Sequence, residues 1–204
     1  MSRVLVPKAS PKTGIPTYDS VCESVRDPFR VAAVRRLEPG RRSPGPVFDR
    51  LTRLAAHLLQ APMAAVTLID AERLLLVSSH GMAEPPRQSA LEDSICQYAV
   101  AAGTPLVVED LSTDARLSTH RSATALGVVS YVGAPLITSD GYAVGTICVM
   151  DVTPRSWSDD QLANLTTLAS ICVDELRLSG FERTEWFKRE WAGVAEAAQQ
   201  SRHG

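Results

Sequence analysis

Between Val128 and Asp151 the chain reads VVSYVGAPLITSDGYAVGTICVMD, two apolar segments joined at Ser139-Asp140-Gly141. No charged side chain interrupts either segment before Asp151. Both are long enough for strands, and Asp140-Gly141 supplies the positive-φ residue that a tight turn needs. Strand side chains alternate between the two faces of a sheet. Along the second segment Val144, Thr146, Cys148 and Met150 are therefore expected on one face, and Ala143, Gly145, Ile147 and Val149 on the other. Neither set is charged, so a soluble chain must cover both. Helices on one side and ordered loops on the other would do so. Pro135 has no N–H to give a neighbour, which predicts a bulge or an exposed edge in the first strand.

The segments around this hairpin supply those layers. After Ser43-Pro44, a cap with proline in the first turn, Val47, Phe48, Leu51, Leu54, Ala55, Leu58 and Leu59 recur at helical spacing until Pro62. Met63–Ile69 and Arg73–Ser79 read as two strands of an antiparallel hairpin across Asp70-Ala71-Glu72. Ser94, with Gln97 three residues later, predicts a capped helix that Gly103 ends. Leu106–Val108 is a short strand, and a turn-rich loop with a short helical piece leads to Gly127. Ser158 and Gln161 form a second capping box, with Trp157 placed to pack on Leu162. Leu162, Leu165, Leu168, Cys172 and Leu176 continue that helix as a core-facing stripe. The order helix, two strands, helix, strand, loop, two strands, helix describes an α+β domain with a mostly antiparallel sheet.

Charge separates the ends from this domain. Residues 1–45 carry nine Lys/Arg and four Asp/Glu, a balance of +5 in a chain whose net charge is −2. With many prolines and few regularly spaced large apolar residues, they read as a basic, mostly disordered arm with local order from Val21 to Leu37. Arg35-Arg36 and Arg41-Arg42 have no interleaved aromatics, so a solvated arm is expected and nucleic acid is not. No apolar run is long enough to span a membrane, and no secretory signal opens the chain. Four cysteines without CxxC or Cys/His spacing argue against a disulfide framework or zinc site, and for free thiols in a reducing cytoplasm. Residues 179–204 read as a separate amphipathic tail or helix after Gly180. There Phe187, Trp191, Val194 and Ala198 keep helical spacing, suited to docking on the domain, a second copy or another protein.

From about Pro46 to about Leu178, the segments SICQYAV, PLVVEDLSTDARLS and YVGAPLITSDGYAVGTICVMDVTPRSWSDDQ resemble the GAF family of regulatory domains. The resemblance implies a GAF-like, PAS-related fold of residues 46–178. Its antiparallel sheet has five or six strands, with helices packed on one face and a loop-covered pocket on the other. It implies sensing of small molecules, pairing of the first and last helices across a homodimer, and relay of the bound state to an effector. The Asn-Lys-Phe-Asp-Glu set of cyclic-nucleotide-binding members is not found, nor is the Cys-His pair that anchors bilins. The cofactor stays open.

Ligand-binding candidates follow from both readings. Cys96 falls at the second helical position if Ser94 is the cap, where the helix dipole favours a thiolate; the competing reading is a small buried apolar side chain. Tyr98 and Tyr131 can line the cavity. Asp110, Asp114 and Arg116 lie in the covering loop, where the carboxylates either meet a ligand or pin the loop to its own backbone, and Arg116 can receive an anion. Cys148 and Cys172 fit core stripes, and His80 and His120 read as surface residues rather than metal ligands. No catalytic or metal-binding residue is assigned. The expectation is a cytoplasmic, non-catalytic sensor that binds a small molecule or responds to redox state and signals through a separate partner protein. The alternatives are an interaction scaffold with a vestigial pocket and, third, a cysteine-dependent reductase of free methionine sulfoxide.

Overall fold

In the computed structural model, which describes residues 18–37, 45–114, 117 and 120–200 and the side chains outside 18–19, 121–123 and 180–200, the hairpin is built as its sequence requires. Strands β5 (Ser130–Ile137) and β6 (Ala143–Asp151) pair antiparallel, with Gly141 at φ 86° in the turn. They join β1 (Met63–Ile69), β2 (Arg73–His80), β3 (Gln88–Ala90) and β4 (Leu106–Val108) in one antiparallel sheet. The order is β3-β2-β1-β6-β5-β4, so β1 and β6 are the central pair. Every residue of β1 and β6 is buried.

The alternation expected for β6 holds from Gly145 onward and breaks at Val144. Pairing slips between Leu136 and Ile137, leaving Val144 without a partner opposite. That one-residue bulge sends Val144 to the helix-covered face and Ala143 to the other. The irregularity expected at Pro135 thus sits one residue beyond it.

Helix α3 (Pro46–Leu59) opens with proline after Gly45 and closes at Gln60 in the left-handed conformation. Helix α6 (Asp159–Gln200) is set by a reciprocal capping box: Ser158 Oγ accepts from the Gln161 N–H at 3.2 Å, and Gln161 Oε1 accepts from the Ser158 N–H at 3.0 Å. Trp157 and Leu162 both pack on the core beside it. Through Phe48, Leu59, Leu165, Cys172 and Leu176 these helices cover one face of the sheet. On the opposite face lie α4 (Cys96–Ala102), ended by Gly103 at φ 63°, and the short α5 (Arg121–Leu126).

The ends of the chain and one sheet edge add to what the sequence shows. The local order expected from Val21 to Leu37 is present. Helices α1 (Tyr18–Val25) and α2 (Pro28–Leu37), separated by Arg26 and Asp27, bury Val21, Val25, Val31, Ala33, Val34 and Leu37. The apolar residues are split between two short helices, so no single periodic stripe announces them. Residues 179–204 do not begin a separate helix, because α6 runs without interruption through Gly180 to Gln200. Edge strand β3 was not foreseen; its Gln88-Ser89-Ala90 is short and mostly exposed, without apolar alternation. Among the described residues no helix is long and apolar enough to cross a membrane.

Candidate functional site

The face of the sheet turned away from α3 and α6 holds a cavity of about 310 Å³. Its floor is Ala65 and Thr67 of β1, Tyr131 of β5, and Cys148 and Met150 of β6. Leu74 and Leu76 of β2, Pro85 and Pro86 of the following loop, Ser94–Cys96, and Leu126 of α5 form its walls and rim. The alternation that puts Ala65 opposite Cys148 and Thr67 opposite Thr146 brings small and hydroxyl-bearing side chains to the middle of this floor. The lining is mostly apolar. Among the described lining residues Asp93 carries the one carboxylate and none is basic.

Tyr131 lies flat along its own strand because of Gly133. The two residues share a face, and a Cβ on Gly133 would overlap the Tyr131 hydroxyl and ring. The missing side chain lets the phenol reach α4, where its hydroxyl donates to Cys96 Sγ at 3.5 Å. Gly133→Ala is expected to push the ring off that seat and to lower stability by about 1–3 kcal/mol, the usual cost of overpacking. Urea unfolding reads this directly, and an unchanged midpoint would show that the ring is not held there.

Cys96 and Cys148 meet at this floor. Both are free and buried, and both line the cavity. Hydrogen bonding from the neighbouring Cys148 thiol does most to draw Cys96 down from 9.0 to about 6; burial opposes it, and the hydroxyls of Thr146, Tyr131 and Thr67 add to it. Cys148 is pushed well up by the same bond, by burial and by the neighbouring charge. Burial, followed by the charges of Cys96 and Cys148, likewise raises Tyr131 well above the ordinary phenol range. The two sulfurs are therefore driven apart, Cys96 toward the thiolate and Cys148 toward the thiol. Thr67 and Thr146 bridge their hydroxyls at 3.0 Å beneath the pair. Ser94 is buried at the cavity wall, and its Oγ has no hydrogen-bond partner among the described residues.

The structure distributes the sequence candidates unevenly. Cys96 and Tyr131 line the cavity. Tyr98 does not: it is buried on the other side of α4, edge-on to His120 at 5.9 Å between ring centroids. His120 is buried too, not at the surface. Asp110 is turned to its own loop, where its carboxylate accepts from the Ser112 N–H at 2.9 Å and the Ser112 hydroxyl at 2.7 Å. Asp114 sits in the same loop outside the lining, its carbonyl accepting from the Leu117 N–H. Arg116 lies outside the described residues.

The reason first given for a Cys96 thiolate also changes. Ser94 closes a preceding 3-10 turn and caps nothing, and Gln97 donates to the Leu91 carbonyl instead. Cys96 still opens α4, and side-chain hydrogen bonds from three strands draw it toward the thiolate. Sequence reasoning missed Cys148, Thr67 and Ser94 as cavity residues, and Thr146 as the hydroxyl bonded to Thr67. The alternation of β6 already carried Cys148 and Thr146 on one face, but the partner across the cavity is 52 positions away.

Comparison with known proteins gives this arrangement its family. The model of the GAF domain matches residues 43–176. A cyclic di-GMP phosphodiesterase of Pseudomonas aeruginosa is 31% identical over 110 residues, 53% of this chain and 18% of that protein. The chain thus spans less than a fifth of that relative's length. Among solved structures, the GAF domain of an Acinetobacter phosphoenolpyruvate-protein phosphotransferase superposes with a TM-score of 0.59 at 16% identity, covering 78% of this chain and 99% of that one. The GAF-B domain of DevS from Mycobacterium smegmatis gives 0.55 at 21% identity, covering 70% and 98%. At these identities the structures show a shared fold.

Proposed function

The chain belongs to the GAF domain family, and from that premise we propose that it is a non-catalytic sensory module that binds a small, neutral, largely apolar molecule and passes its state to a signalling partner. One observation carries this reading: a cavity of about 310 Å³ lies on the sheet face that the core helices leave uncovered. That volume is within the range of small-molecule sites, whereas a scaffold with a vestigial pocket would fill the space with side chains. The described lining is mostly apolar, which suits a ligand with a largely apolar surface. The Pseudomonas relative matches over a small part of a much longer protein named as an enzyme, which supports a module that regulates an effector.

The module acts as a homodimer in this proposal. Leu54 and Leu58 on α3 and Ile171 and Leu178 on α6 are exposed by 43%, 40%, 40% and 56%. They are spaced to share faces of the two helices, which pack together on the sheet.

Native mass spectrometry tests both parts, with N-phenyl-1-naphthylamine as a neutral apolar probe. The expected result is a dimer that takes up one probe per subunit. Ala65→Phe, which fills the floor, weakens uptake by at least about tenfold while leaving the dimer mass unchanged. A monomer would overturn the dimer. Uptake that is absent from the wild type, or unaffected by Ala65→Phe in a folded variant, would overturn the sensory pocket.

A further inference from the structure

We propose that Cys96 and Cys148 form a dithiol site for organic hydroperoxides, which enter the apolar cavity and convert the pair to a disulfide. The inference rests on the sensory reading and names the chemistry of its ligand. Its ground is the geometry of one cavity whose lining holds two free thiols, Cys96 from α4 and Cys148 from β6, together with two hydroxyls. Tyr131 donates to Cys96 Sγ at 3.5 Å, and Ser94 Oγ, buried at the wall, has no partner among the described residues. A ligand with an apolar body and one short oxygen-bearing end satisfies both parts of this cavity. An oxidant is the reactant class that uses both thiols, whereas an alkylating electrophile would consume only one.

The chemistry closes with the groups present. The Cys96 thiolate attacks the terminal oxygen of R–O–OH, forming the S–O bond and breaking the O–O bond. The departing alkoxide takes the proton of Cys148 and leaves as the alcohol. The Cys148 thiolate then attacks the sulfur of the Cys96 sulfenic acid, the S–S bond forms, and hydroxide leaves as water with the proton that Cys96 had released. Two thiols are oxidised and one peroxide is reduced by the same two electrons. The depressed pKa of Cys96 and the raised pKa of Cys148 match the roles of attacking thiolate and proton donor. Cys172 faces the helix-side core, where burial pushes it up to about 12, and Cys22 lies on α1 away from the cavity.

The test treats the full chain with cumene hydroperoxide, blocks remaining thiols with N-ethylmaleimide, and reads the intact mass and the tryptic map. Two of the four thiols are expected to become unreactive, with a mass loss of about 2 Da and a cross-linked peptide joining Cys96 to Cys148, reversible by dithiothreitol. Hydrogen peroxide at equal concentration should react at least roughly tenfold more slowly, because it gains nothing from apolar burial. Cys148→Ser should stop at the sulfenic acid, about 16 Da heavier and captured by dimedone. Four thiols still reactive after hydroperoxide, a disulfide through Cys22, or a Cys96→Ser variant oxidised like the wild type would each overturn the proposal. Equal rates with the two peroxides would remove the cavity from it. Inert thiols in a protein that still takes up the naphthylamine probe would sink the dithiol site alone and leave the sensory pocket standing.

Discussion

Gly145→Ala is expected to cost this domain about 3 kcal/mol or more, the upper end of what overpacking does to a core. Gly145 pairs with Leu68 across the two central strands, and a Cβ there would overlap the Thr67 carbonyl oxygen and crowd the Leu68 Cα. Both obstacles are backbone, so no rotamer change relieves them. The strands β1 and β6 must separate locally, and they are hydrogen-bonded to neighbours on their outer sides as well. A loss of this size is a large share of the roughly 5–15 kcal/mol that holds a domain together. Gly103 provides the contrast: it adopts φ 63°, but nothing lies within 4 Å of an added Cβ, so Gly103→Ala should cost only about 1 kcal/mol from backbone strain. Urea midpoints of the two variants, measured together, separate close approach from turn geometry. A Gly145→Ala protein within 1 kcal/mol of the wild type would mean that the central strands are not packed as closely as the structure has them.

The sequence carried the architecture where local chemistry and global placement agree. The uncharged faces of the hairpin, the turn at Asp140-Gly141 and the reciprocal caps at Ser158 and Gln161 each act within a few residues of themselves, and each is found where its pattern places it. Elements missed or misplaced depend on partners far along the chain. Val144 changes face because of a slip opposite Leu136 and Ile137, which no property of VGTI by itself requires. Cys148 looks like a small core residue until α4 lays Cys96 against it. The roles of Gly133 and Gly145 are equally non-local: one makes room for a phenol two residues back, the other for a carbonyl on a different strand. A sequence shows that these positions lack a side chain, and only the packed sheet shows what occupies the space.

Arg30→Met is expected to release the N-terminal helices and cost about 3 kcal/mol. Helices α1 and α2 straddle one end of the central strands. Val21 and Val25 of α1 join the cavity-side core, while Ala33, Val34 and Leu37 of α2 join the helix-side core. Asp27 opens α2 by accepting from the Arg30 N–H at 2.8 Å, with Pro28 next to it in the first turn. At this crossover the buried Arg30 guanidinium donates to the Ile69 carbonyl at 2.8 Å, the Ala143 carbonyl at 3.3 Å, the Asp70 carbonyl at 3.4 Å and, most closely, the Val25 carbonyl. Burial draws its pKa down from 12.5 to about 10, against the pull of Asp70 and Asp27, so it remains charged at neutral pH. Methionine keeps much of the apolar volume and removes the buried charge, yet leaves these carbonyls without their common donor. Each unsatisfied group costs about 1–3 kcal/mol, partly offset by the desolvation that the charge no longer suffers. Lysine keeps the charge but cannot present the fork of donors, so Arg30→Lys should fall between methionine and the wild type. Hydrogen exchange is expected to quicken first across 18–37, with tryptic cleavage at Arg26 and Arg35, and then across α4, which α1 covers on the cavity side through a Ser24 hydroxyl that donates to the Ala101 carbonyl at 3.3 Å. Unchanged protection over 18–37 in a folded Arg30→Met protein would show that apolar burial alone holds these helices. Exchange that quickens there but never reaches α4 would show that the clamp and the cavity are independent.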